Sequence, residues 1–120
     1  MFDECKLLKE LDLSGWDTSS IKHMISVFSN CKSLISLNLS GWDTQNVINM
    51  GGMFENCKSL KALDISDWDV SSVIEMTSMF NGCDSLKILN INNWNPKKLV
   101  SYGYMFAGCY DSIIPDWYLD

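Results

Sequence analysis

Positive charge, histidine and long apolar stretches are all scarce in this sequence. Nine Lys and Arg stand against 15 Asp and Glu, which gives a formal net charge of −6. This balance argues against nucleic acid or an anionic membrane as the partner, because both select for cationic surfaces. No apolar run is long enough to cross a bilayer, so membrane insertion is not expected.

The residue types that carry out catalysis are equally scarce. His23 is the single histidine, so a cysteine nucleophile would have few bases to activate it. The chain has neither a Gly-rich phosphate loop nor a cluster with metal-ligand spacing. The sequence therefore predicts a protein that is not an enzyme and needs no cofactor.

Against these absences stands a strict internal repeat. Residues 27–52 match residues 53–78 at 13 of 26 positions, and the cysteines recur at the same 26-residue step. A repeat of this length indicates stacked units that bury their apolar faces against one another. The 120 residues, 47% of them hydrophobic, provide a little over four and a half such units in one small domain.

Each unit combines two patterns. In residues 34–40, Leu37 and Leu39 alternate with polar residues, which is typical of a short strand with one buried face. In residues 47–57, apolar side chains recur mostly at intervals of three, which indicates the buried stripe of a helix. The pattern predicts one short parallel strand per unit, followed by a helical segment, with the strands at residues 10–14, 36–40, 62–66 and 88–92.

Several segments together resemble a known repeat family. The strings LDLSGWDTSS, LNLSGWDT, LDISDWDVSSV and SMFNGC are similar to the 26-residue repeat of bacterial surface proteins, the BspA-like leucine-rich-repeat family. Leu34, Leu37 and Leu39 fit the strand signature of leucine-rich repeats, although Trp42 stands where that signature has Asn. The expected fold is an α/β leucine-rich-repeat solenoid of about four and a half coils, with one strand and one helical segment per coil.

The resemblance also implies a place and a function. Members of this family are surface or secreted binding proteins, often adhesins, so a cell-surface or secreted location is expected, although residues 1–10 lack the basic-then-apolar order of a signal peptide. The family implies no catalytic residues. The alternative is a structural or intracellular protein-interaction repeat without a dedicated ligand.

The two ends of the array differ. Residues 1–109 are predicted to form the repeat array, which starts inside a repeat without an N-terminal cap. Its exposed first coil would allow end-to-end self-association. Residues 110–120 break the pattern, and Pro115 disfavours another central strand, so this segment is predicted to close the array with Trp117 and Tyr118 over the last coil.

The cysteine column admits three interpretations. Zinc needs four ligands that converge on one point, which a straight row does not provide. Disulfides between neighbouring units are within backbone reach, but side chains in such a row point the same way. The third interpretation is a row of buried thiols that pack as small apolar groups, and the ladder assigned this structural role is Cys31, Cys57 and Cys83.

Aromatic residues form two more columns with structural roles. One is a buried row of phenylalanines, each packed between neighbouring coils. In the other, tryptophans either cover the core at the turn, with each indole N–H bonded to a carbonyl, or form an exposed strip that stacks on a partner. The two ladders comprise Phe28, Phe54 and Phe80, and Trp16, Trp42, Trp68 and Trp94.

An acidic row, Asp17, Asp43 and Asp69, follows the tryptophans. Such residues cap backbone N–H groups at the start of a helix, and rows of carboxylate oxygens can also bind calcium. Both interpretations remain open from the sequence.

Ligand binding is expected on the outward positions of the predicted strands, which we call the strand face. Its residues are small, polar and mildly acidic, which suits a protein or glycan partner held by many hydrogen bonds. The strand face comprises Asp12, Ser14, Ser36, Asn38, Ser40, Asp64, Ser66, Asn90 and Asn92.

Overall fold

Short parallel strands join successive repeats in the computed structural model, which describes residues 2 and 4–119. The strands are β1 (Glu10–Asp12), β2 (Ser36–Asn38), β3 (Ala62–Leu63) and β4 (Ile88–Leu89). β1 pairs with β2 and β3 pairs with β4, both in parallel, to give two two-stranded sheets. Equivalent residues of neighbouring repeats therefore face each other across each pair.

A second line of parallel contacts runs through the other half of each repeat. Isolated bridges join His23 to Asn49, Asn49 to Glu75, and Glu75 to Ser101. Around them, the backbone N–H groups of one repeat donate to carbonyls of the next, as from Met50 to Glu75 at 2.9 Å. Many backbone N–H groups of this segment thus donate hydrogen bonds to the neighbouring repeat, whereas in a helix they would donate to carbonyls of their own repeat.

The predicted leucine-rich-repeat solenoid is wrong. Residues 2 and 4–119 contain no α-helix, and their only helical elements are two short 3₁₀ helices, η1 (Asp111–Ile113) and η2 (Asp116–Leu119). The strands divide between two sheets and end after two or three residues, whereas the prediction required longer strands. The chain forms a small compact body with extents of 36 × 32 × 19 Å.

The three-residue apolar spacing has another cause than a helix. Single turns recur along the segment, with Val47 N–H donating to Thr44 O, Met53 to Met50, and Cys57 to Phe54. Residues with positive φ separate these turns, among them Gly52 at 63° and Asn56 at 60°. Left-handed residues end a right-handed helix, so successive turns produce the spacing without forming one.

The core is a set of apolar rows that run from repeat to repeat. Phe28, Phe54 and Phe80 are 0% exposed. Their rings stack on one another and on Phe2 and Phe106 with centroids 5.4–5.7 Å apart. Burying one large apolar side chain stabilises a protein by roughly 1.5–3 kcal/mol, so these rows hold the repeats together.

The C-terminal segment lies against the last repeat. The Tyr118 ring meets the Phe106 ring edge-on with centroids 4.9 Å apart, and Trp117 stacks on Trp94. The division at residues 109 and 110 stays a prediction, and its outermost residues, Met1 and Asp120, lie outside the described chain. None of the helices described for this chain has the length and apolar character that spanning a membrane requires.

Candidate functional site

The strand face is solvent-exposed along the four strands. Eight of its nine residues are exposed and Ser66 is half-buried. The alternating Leu37, Leu39, Leu63 and Leu89 point the other way and are buried. The short strands thus present polar side chains outward and leucines inward, as their alternation dictates.

Local hydrogen bonds fix the carboxylates and amides of the strand face. Asp12 Oδ1 accepts a hydrogen bond from the backbone N–H of Ser14 at 3.0 Å, and Asn38 Oδ1 accepts one from Ser40 at 3.0 Å. Asp64 and Asn90 repeat the pattern with the residue two positions on. Hydrogen bonds from Ser14 lower the pKa of Asp12. One side-chain oxygen of each residue therefore holds the turn, and the other terminal atom remains available to a ligand.

The strand face also carries a recess between its third and fourth strands. Its volume is about 390 Å³, and Asp64, Ser66 and Asn90 line it together with Ala62, Leu63 and Ile88. Ile88 is 68% exposed. A partner at this point would meet the Ile88 side chain together with the hydrogen-bonding groups of Asp64, Ser66 and Asn90.

The acidic row makes turns rather than helix caps. Asp17 Oδ1 accepts from the N–H and hydroxyl of Ser19 at 3.1 and 2.7 Å, and Asp69 Oδ1 does the same with Ser71 at 3.0 and 2.6 Å. These bonds lower the pKa of both carboxyl groups. Asp43 Oδ1 accepts from the backbone of Gln45 at 3.2 Å.

No metal site emerges from these carboxylates. Within residues 2 and 4–119, no three His, Cys, Asp or Glu side chains come close enough to hold an ion. Asp17 and Asp69 each use Oδ1 on their own turn, and Asp43 uses both oxygens because its Oδ2 also accepts from Gln45 Nε2 at 3.0 Å. Each of these carboxylates thus has a hydrogen-bond partner in its own turn. Calcium binding by the acidic row stays a prediction, for which the described residues provide no set of ligands.

The cysteine column is buried and hydrogen-bonded. All five cysteines are thiols, and Cys31, Cys57 and Cys83 are 0% exposed. Each of these three donates its S–H to a phenylalanine carbonyl of the preceding repeat, at 3.0–3.2 Å. Burial, with the neighbouring Cys31 thiol, raises the pKa of Cys57 to about 12. The row packs and bonds between repeats and offers no reactive thiolate.

The tryptophan column covers the core at the turns. Trp42, Trp68 and Trp94 are at most 9% exposed, and their rings stack 6.1 and 6.4 Å apart. The indole N–H of Trp42 donates to Leu13 O at 2.9 Å, and that of Trp94 to Ile65 O at 3.1 Å. Trp16, at the N-terminal end of the row, is 43% exposed.

Sequence reasoning missed a cavity at the C-terminal end, which we call the C-terminal recess. Its volume is about 320 Å³. The signal that could have revealed it is a set of departures from the repeat around residues 95–102, where Asn95 and Tyr102 replace the Asp and Met of earlier repeats. Its lining residues are Asn95, Pro96, Leu99, Tyr102, Trp117 and Tyr118.

Comparison with known proteins identifies a family. A family model described as "Mycoplasma protein of unknown function, DUF285" matches residues 1–117. Searches of curated proteins and of solved structures gave no match. The match covers nearly all of the repeats and most of the closing segment.

Proposed function

We propose that this chain, which belongs to the family of Mycoplasma proteins of unknown function called DUF285, is a non-enzymatic binding module that presents its strand face to a protein or glycan. The observation that carries the proposal is the exposure, in four successive repeats, of equivalent small polar side chains. A partner that contacted several repeats at once would meet equivalent polar groups at each step along this face.

Preorganisation of the strand face supports the proposal. Asp12, Asn38, Asp64 and Asn90 are each held by a hydrogen bond to the residue two positions on. Groups that are already ordered lose less conformational entropy when a partner binds. Each polar contact contributes about 0.5–1.5 kcal/mol, so affinity would come from contacts repeated along the face.

The finer assignment to the BspA-like proteins belongs to this proposal. The assignment rests on repeat segments such as LDISDWDVSSV and on the match to the DUF285 model. It implies an adhesion protein that is secreted or located at the cell surface. In this proposal nucleic acid is not a partner and the chain does not insert into a membrane. The competing proposal is an interaction repeat inside the cell that has no dedicated ligand.

Self-association through the N-terminal end is a further part of the proposal. Phe2, Trp16 and Met24 are among the residues that line a small apolar recess of about 60 Å³ at this end. Trp16 is 43% exposed, whereas Trp42, Trp68 and Trp94 are at most 9% exposed. A concentration-dependent mass in analytical ultracentrifugation would support this contact.

The strand face can be tested with a charge-reversing pair of substitutions. The protein is screened against a glycan array and a panel of matrix proteins, and the double variant Asn38→Lys, Asp64→Lys is compared with the parent. Binding should fall steeply. Each lysine also removes the acceptor of a turn hydrogen bond, which should lower the free energy of unfolding by about 0.5–1.5 kcal/mol per bond, so the two proteins are compared under conditions in which both are folded.

A matched control makes the same charge change away from the strand face and from the recesses. Asp67 and Ser20 are exposed and line none of the recesses described for this chain, so Asp67→Lys, Ser20→Lys should leave binding intact. If the Asn38→Lys, Asp64→Lys protein folds and binds at full strength, the strand face is not the site. Equal losses in both variants would indicate a non-specific effect of charge.

A further inference from the structure

We infer that the C-terminal recess binds one ring of a neutral saccharide. The recess has a volume of about 320 Å³, near the lower end of the roughly 300–1,000 Å³ range of small-molecule sites. None of its lining residues belongs to the strand face. The inference therefore adds a second, independent site to the proposed function.

The residues of the recess are those at which the sequence departs from its own repeat. Asn95 occupies the position of the acidic row, and Pro96 occupies that of the buried Thr18 and Thr44. Tyr102 is 42% exposed, although its equivalents Met24, Met50 and Met76 are at most 1% exposed. Residues that only closed the core would fill this space, whereas these leave it open.

Trp117 is fixed in the recess as the last ring of the tryptophan stack. Its indole lies on that of Trp94 with centroids 6.5 Å apart and planes 21° apart. Its N–H donates to Ile91 O at 2.9 Å, as the indoles of Trp42 and Trp94 do to their own neighbours. Among residues 2 and 4–119, Trp94 is the indole that stacks on Trp117, and Tyr118 meets the Trp117 ring edge-on.

Tyr118 forms a rigid wall beside Trp117. Its hydroxyl donates to Tyr102 O at 3.1 Å and accepts from Met105 N–H at 3.3 Å. Its ring packs edge-on against Trp117 and Tyr102 with centroids 6.3 and 6.0 Å away. The aromatic walls are therefore in place before a ligand arrives, which lowers the entropic cost of binding.

The chemistry of the walls matches a sugar better than other small ligands. A pyranose ring has an apolar C–H face and a rim of hydroxyl groups. The recess offers three aromatic rings and Pro96 for the C–H face, and the Asn95 amide, which both donates and accepts, for the hydroxyls. Its described lining includes no charged side chain, which favours a neutral saccharide over an acidic one.

A neighbouring groove gives room for a second sugar ring. It has a volume of about 370 Å³ and shares Asn95 with the recess. Its polar lining residues besides Asn95 are Asp69, Ser71, Asn93 and Lys97, and Trp68, Val70 and Trp94 complete it. A disaccharide that placed one ring in the recess would reach these hydrogen-bonding groups with the other, so disaccharides should bind more tightly than monosaccharides.

The test measures binding of neutral methyl pyranosides and disaccharides to the intact chain by saturation-transfer NMR and tryptophan fluorescence. Two variants restore the repeat residue at the recess. Asn95→Asp removes the amide donor, and Tyr102→Met removes one aromatic wall. Each should weaken binding about 3- to 10-fold, the effect of losing one hydrogen bond or one aromatic contact.

Asp43→Asn is the matched control, since it makes the reverse exchange at the equivalent position two repeats away. Asp43 contacts the backbone and side-chain amides of Gln45 and lines neither the recess nor the neighbouring groove, so saccharide affinity should not change. The inference is overturned if no neutral saccharide binds at concentrations on the order of tens of millimolar, if only acidic sugars or peptides bind, or if both recess variants bind as the parent does.

The strand-face variants separate this inference from the proposed function. One outcome would overturn the inference by placing the glycan on the strand face. In that outcome the double variant Asn38→Lys, Asp64→Lys no longer binds saccharide, whereas Asn95→Asp binds it as the parent does. Saccharide binding that only the recess variants weaken supports the inference, whatever the strand face binds.

Discussion

At the scale of single residues, the cysteines show how burial sets chemistry. Cys57 and Cys83 are 0% exposed and Cys109 is half-buried. Burial raises the pKa of Cys109 to about 11 and that of Cys57 to about 12. Because the thiolate is the reactive form, folded protein at neutral pH should protect these side chains.

We therefore predict slow thiol reactivity in the folded protein. Native protein treated with a thiol reagent at pH 7 should leave Cys31, Cys57 and Cys83 unmodified, as peptide mass mapping would show. Denatured protein without reductant should bind five equivalents. Fewer than five would reveal disulfides, and rapid native labelling of Cys57 would contradict the burial described for it.

Residue positions were the most predictable part of the molecule. The 26-residue step assigned the phenylalanine, tryptophan and cysteine columns, and the structure stacks them between repeats. The 26-residue spacing does not predict the hydrogen-bond partner of each side chain. Thr18 illustrates this: its buried hydroxyl donates to Asp43 O at 3.1 Å and accepts from Asp43 N–H at 2.9 Å, a contact that spacing alone does not predict.

At the scale of elements, the prediction of a helical segment in each repeat was wrong for a physical reason. A spacing of three suits both a helix and a series of single turns, and the difference lies in the residues with positive φ. Ser26 and Ser78, at 55° and 59°, are not glycines, so their residue type does not predict a left-handed conformation. The strands begin where they were predicted and end early because each next segment turns on an Asp or Asn side chain.

Two glycines at equivalent turns provide a test at this scale. Gly82 and Gly108 have φ of 81° and 79°. A Cβ on Gly82 would overlap the Asn56 side-chain oxygen, whereas at Gly108 the nearest atom is Gly82 Cα at 3.6 Å. Both substitutions to Ala should destabilise the fold by about 1–3 kcal/mol through backbone strain, and Gly82→Ala should cost more.

Urea unfolding of the two alanine variants measures this difference. In an Asn56→Gly background the overlap is gone, so the two substitutions should then have equal effects. A Gly108→Ala variant as unstable as Gly82→Ala in the parent background would show that strain alone, and not the overlap, determines the cost.

At the scale of the whole molecule, stability should fall in acid. Hydrogen bonds from Ser14, Ser19 and Ser71 lower the pKa of Asp12, Asp17 and Asp69 in the folded chain. A carboxyl group whose pKa is lower in the folded chain stabilises the fold at pH values above its unfolded pKa, which is about 3.9 for Asp. That contribution is lost as the pH falls through the folded pKa.

The melting temperature should therefore decrease below about pH 4. The double variant Asp17→Asn, Asp69→Asn keeps an acceptor oxygen for each serine but cannot titrate, so its melting temperature should depend less on pH over the same range. Scanning calorimetry between pH 2 and pH 7 measures both slopes. Identical slopes for parent and variant would show that these turns do not contribute to acid sensitivity.

The pairing of each residue with its equivalent in the next repeat also has a genetic consequence. Phe54 lies between Phe28 and Phe80, and its N–H donates to Met79 O just as that of Phe28 donates to Met53 O. An in-frame duplication of 26 codons would insert a unit whose backbone groups find partners at both junctions. One codon more or fewer would shift the rows out of register, so variants of this gene that fold should differ in length by whole repeats.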